Sequence, residues 1–106
     1  MSFVEYRLIK QLQNHQGLKK AIRGEDLAKA IHLKGTRDLR DVVAEARKNH
    51  QPVMSLPGVG YWFPKEWGED ETHCVNHLRD MGKEFFRDAE MVEKGLLKLY
   101  GDPKMF

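Results

Sequence analysis

An α+β fold is predicted for this 106-residue chain by three observations. Apolar residues recur at helical spacing over two short segments, first Leu27, Ala30 and Ile31, then Leu39, Val42, Val43 and Ala46. A polar break from His32 to Gly35 separates them. Two β-rich runs, Val53 to Leu56 and Gly60 to Phe63, flank Pro57-Gly58, a turn signal. Helix, tight turn, helix, hairpin is the order these patterns predict over residues 23–64.

Each element has a local reason. Phe3, Val4, Leu8 and Leu12 place a first helix over Phe3 to Gln13, with Ser2 as N-cap and Glu5 completing a capping box. Gly17 suits a left-handed position after that helix. Residues 19–23 are expected as a short third strand, because a lone hairpin is marginally stable. Thr36 is the expected N-cap of the third helix. In the second β run, alternation sends Tyr61 and Phe63 to one face and Trp62 to the other. One of those faces must be core; the other is available to anchor a further element.

Residues 1–64 are expected as one domain, with 65–106 a connector and a long C-terminal α-helix. Three acids, Glu69 to Glu71, begin that helix where the macrodipole favours them. Val75, Leu78, Gly82, Phe85, Ala89, Val92, Leu96 and Leu99 then follow at spacings of three and four, a heptad-like, coiled-coil seam. An uninterrupted helix there is roughly 45 Å long and outruns a small domain. The seam is expected either to cover helix 1 or to make a homodimer with a second chain. Gly82 and Ala89 permit close approach, while Gly82 and Gly95 each cost about 1 kcal/mol relative to Ala.

The runs GEDLA, GTRDLR and above all LPGVGYWFP carry a resemblance. They look like the N-terminal winged helix-turn-helix of biotin operon repressors, with its G-E-x-L beginning and P-G-x-G-Y-x-x-P wing. The chain also resembles small phage and prophage winged-helix proteins. About 40 residues carry the likeness strongly, and nothing in the chain matches a biotin-ligase domain. The resemblance implies a three-helix core with a β-hairpin wing and double-stranded DNA as partner.

Composition permits that reading. Residues 1–64 hold eleven Lys/Arg and six Asp/Glu, a net of +5, whereas 65–106 hold seven and ten, a net of −3. A basic front suits phosphates, although the excess is mild. The single cysteine, Cys74, makes no internal disulfide, and no apolar run approaches a membrane span, so a cytoplasmic location is expected.

The third helix should present its N-terminal part to a major groove. Arg37 and Arg40 lie three apart on its outer face and suit guanine edges. Lys34 and Thr36 stand at its entrance, and Lys48 and Asn49 follow its end. Lys19 and Lys20 form a second basic pair. An alternative is that Asp38 and Asp41 simply pair with the two arginines. The wing tip carries Val59 where many wings carry Lys or Arg. His73, Cys74 and His77 are metal-ligand types, but the neighbouring thiol points away from the two imidazoles, so surface histidines are expected. No nucleophile, phosphate-loop or dinucleotide pattern occurs; neither an enzyme nor a cofactor is expected. The function predicted is a small transcription regulator. The alternative is a winged-helix protein-interaction module in a replication or packaging assembly.

Overall fold

A computed structural model of the protein describes residues 2–81 and 83–101, the side chains of 83–86 excepted. The described residues form an α+β structure. Its elements are α1 (Phe3–Leu12), α2 (Gly24–Ala30), α3 (Thr36–Lys48), β1 (Met54–Leu56), β2 (Gly60–Trp62), α4 (Glu69–Asp80) and α5 (Lys83–Tyr100). A 3₁₀ turn at Leu18–Lys20 precedes α2. Three helices followed by an antiparallel hairpin are compatible with a winged-helix layout.

The start of α1 is capped as expected, with Ser2 Oγ accepting from the Glu5 N–H at 3.1 Å. The Glu5 carboxylate does not complete the box. It is fully buried and accepts from Asn49 Nδ2 at 2.7 Å, which ties the start of α1 to the end of α3.

Both α2 and α3 close with the same hydrogen-bond pair. The Leu33 N–H reaches the Ala28 carbonyl at 2.8 Å and the His32 N–H that of Lys29 at 3.1 Å. After α3, Gln51 reaches Ala46 at 3.0 Å and His50 reaches Arg47 at 2.9 Å. These are Schellman closures, and the left-handed residue in each is a histidine, His32 at φ 63° and His50 at φ 60°. The N-cap of α3 is Gly35, so Thr36 is its first helical residue.

In the hairpin, Met54 pairs with Trp62, Ser55 with Tyr61 and Leu56 with Gly60. Pro57 and Gly58 make the turn, closed by the Val59 N–H on the Leu56 carbonyl at 3.1 Å. Gly58 supplies the positive φ of 75° that a type II turn requires. Gly60 combines φ 115° with a backbone so close to the Ile22 carbonyl that a Cβ would collide with it. The third strand expected over 19–23 reduces to bridges. Ile22 exchanges two 2.8 Å hydrogen bonds with Tyr61, while Lys19 and Lys20 lie in the 3₁₀ turn. That turn forms because the Gly17 and Leu18 carbonyls accept from Lys20 and Ala21, bending the chain out of extension.

A core lies on either face of the hairpin. On one face Phe63 joins Leu8, Leu12, Leu27, Leu39 and Val53, with Tyr61 packed against them. On the other, Trp62 and Met54 meet Cys74, Val75, Val92 and Leu96. The alternation expected of the aromatic run holds, and Trp62 anchors the C-terminal helices.

Those helices correct one expectation. There is no single long helix: α4 ends at Asp80, Met81 caps it, and α5 begins at Lys83 and runs back along it. Arg79 and Glu93 pair across the two at 3.0 Å, and the Tyr100 hydroxyl donates to the Pro64 carbonyl at 3.0 Å. Folding back lets both apolar stripes bury each other and Trp62, which one straight rod cannot do. Val75, Leu78, Ala89, Val92 and Leu96 are therefore buried within the chain, not offered as a dimer seam. Leu99 is exposed, and Gly82 and the Phe85 side chain fall outside the described residues. Gly95 is likewise not a mere weak point, since a Cβ there would collide with the His50 carbonyl. No described helix is long and apolar enough to cross a membrane.

Candidate nucleic-acid interface

The outer surface of α3 is built by its periodicity. Leu39, Val43, Ala46 and Arg47 are buried, which turns Arg37, Asp38, Arg40, Asp41, Glu45 and Lys48 to the exterior. At about 100° per residue, these exposed side chains sort into two arcs. Arg40, Ala44, Arg37 and Lys48 follow one another around the helix next to Arg47. Asp41, Glu45 and Asp38 occupy the arc beyond. The two arcs adjoin where Arg37 and Lys48 lie beside Asp41 and Glu45, so the bases gather on one arc with the acids along one of its edges.

Among the described residues, Arg37 and Arg40 form no ion pair, so the salt-bridged alternative for them is not what the structure has. Lys48 makes an exposed contact with Glu45 at 3.7 Å, the kind that contributes little. Lys34 is exposed just before α3, and Thr36 is half-buried in its first turn. Lys34, Arg37, Arg40 and Lys48 therefore share α3 and its entrance. Asn49 is engaged elsewhere, its amide donating to buried Glu5. Lys19 and Lys20 are exposed on the separate 3₁₀ turn, whose Leu18 packs into the Trp62 core.

Sequence reasoning missed Arg47. It sits 5% exposed and links three elements. Its Nε and Nη2 donate to the Val53 carbonyl at 3.0 and 2.9 Å, and Nη2 also reaches Ser55 Oγ at 3.1 Å. Its Nη1 faces the Asp88 carboxylate of α5 at 3.4 Å. The available signal was position: Arg47 falls four residues after Val43, on the apolar stripe.

Beside the basic arc runs a groove of about 610 Å³. Val43 and Ala44 of α3, Leu56 and Pro57 of the hairpin, and Leu78 and Met81 of α4 and its cap form its apolar walls. Arg40, Arg47, Ser55, His77 and Asp88 supply its polar edges. The wing tip itself carries no charge, with Pro57 and Gly58 exposed.

The cluster expected to be surface histidines is more divided. His73 is exposed and His77 half-buried. Cys74 is buried and committed to β1: its Sγ accepts from the Ser55 N–H at 3.4 Å and donates to the Ser55 carbonyl at 3.2 Å. Burial pushes its thiol pKa up; the Ser55 hydrogen bond and the charge of Arg47 offset this only in part. Glu71 is also buried, accepting from the Trp62 indole at 3.0 Å and the Gly68 N–H at 3.0 Å.

Compared with family models, with curated proteins and with solved structures, the chain matches none.

Proposed function

We propose that the protein is a winged helix-turn-helix regulator that binds double-stranded DNA through α3. The observation that carries this reading is the arc of Arg40, Arg37 and Lys48, whose arginines form no ion pair among the described residues and whose Arg40 edge borders the hairpin. In this reading Lys34 and Lys48 hold phosphates, and Arg37 and Arg40 read base edges. The net charge of +5 over residues 1–64 supports it. The uncharged wing tip contributes backbone proximity and no charge of its own.

Retardation of mixed-sequence duplex over a salt series tests the proposal. Log affinity should fall with log salt by about 0.9 per phosphate contacted. Lys34→Gln or Lys48→Gln should each reduce that slope by about 1. Arg40→Gln should relax preference at one base pair by about 1–3 kcal/mol. Absence of any retardation at low salt sinks the proposal. The uncharged wing tip and half-exposed Met81 favour a second reading, a winged helix that binds protein. That reading predicts salt-insensitive association and no shift of duplex.

A further inference from the structure

We propose that the groove between α3, the hairpin and the end of α4 binds a small amphipathic anion, a compact apolar body such as an aromatic ring carrying one carboxylate. The groove volume of about 610 Å³ lies within the range typical of small-molecule sites. Its walls are apolar, with few polar groups, and those groups have unspent capacity of one kind. Arg40 stands exposed at the rim with no ion pair among the described residues. His77 lines the groove, and its Nε2 is buried without a hydrogen-bond partner among the described residues. Such an orphan ordinarily costs about 1–3 kcal/mol, which a ligand oxygen removes when Nε2 carries its proton. Arg47 Nη1 reaches Asp88 only at 3.4 Å, long for a charge-assisted bond.

Among the described residues three donors meet one acid, and that acid already faces Arg47. The balance fits a single negative charge on the ligand, not two or three. Leu56, Pro57, Leu78 and Met81 give a flat apolar body something to cover, which a bare inorganic anion does not exploit. The ligand carboxylate meets Arg40 and His77, and its ring lies against the hairpin and α4. The site stands whether or not the chain binds DNA, and its test uses the protein alone.

Phenylacetate titrated into the ¹⁵N-labelled full chain, followed by amide shifts, is the test. Saturable shifts confined to residues 40–47, 55–61, 77–81 and Asp88 are expected. Neutral phenylacetamide should bind at least about tenfold more weakly, the effect of losing a charged hydrogen bond. Arg40→Gln should weaken phenylacetate about tenfold. Ala44→Trp, which fills the groove and keeps every charge, should abolish the shifts, with thermal melting as the check that it folds. Shifts scattered outside the groove, equal binding of the amide, or displacement by inorganic phosphate as effective as by phenylacetate would each overturn the proposal. Should Ala44→Trp not fold, the amide comparison and Arg40→Gln decide alone.

Discussion

The two faces of the hairpin are covered by different means. Against α1, α2 and α3 it places Phe63 and Tyr61 among leucines and valines. Against α4 and α5 it places Met54 and Trp62, and two buried polar groups, Glu71 and Cys74, hydrogen-bond to this face of the hairpin. Both faces are held by buried area; the first adds one cationic clamp, Arg47 on Ser55 and the Val53 carbonyl, and the second adds a carboxylate and a thiol. What this teaches is that the C-terminal helices are part of the fold's interior and not an appendage, because a hairpin so short needs both covers.

The largest expected effect comes from Trp62→Ala. It removes a fully buried indole and strips Glu71 of a donor, so stability should fall by about 3–5 kcal/mol in denaturant titration. The loss should be independent of protein concentration, since the α4–α5 packing is within one chain. A concentration-dependent midpoint would break the comparison by making the second cover intermolecular.

Gly95→Ala sharpens it. Helix propensity alone predicts a gain of about 1 kcal/mol, whereas contact with the His50 carbonyl predicts a cost of about 1–3 kcal/mol. A net loss, read by thermal melting, is the expected sign. His50→Gly should go the other way, raising stability by up to about 1 kcal/mol through relief of the left-handed backbone that closes α3.

The smallest effect concerns pH and isolates the second face. The folded Cys74 pKa is raised, so the folded state holds its proton where the unfolded state has released it. Its contribution is complete below the ordinary thiol value of roughly 8.5 and declines as pH rises through the folded value. Stability measured across that alkaline window should therefore decline less steeply in Cys74→Ala than in the parent.

Much of the first face was legible in the sequence. Leu27 and Ile31, then Leu39 and Val43, announced two helices by spacing, and Pro57-Gly58 announced the hairpin. The second face was legible as a stripe and not as a shape. Val75, Leu78, Ala89, Val92 and Leu96 keep a helical period across Met81, because both α4 and α5 bury the same register against each other. Periodicity reports which side is buried and says nothing about whether the axis is continuous. The histidine closures were hidden for a related reason: glycine is the usual sign of a left-handed residue, and His32 and His50 lack it. At the candidate interface, Arg37 and Arg40 were readable as outward residues. Their grouping with Lys48 on one arc, with Asp41 along its edge, required the helical projection, and the burial of Arg47 required the tertiary contacts of Val53, Ser55 and Asp88.

One guanidinium, that of Arg47, belongs at once to the last turns of α3, to the approach to β1 and to α5. Opening the last turns of α3 forfeits its contacts to both other segments at once, so amide exchange in those turns should expose the approach to β1 along with them.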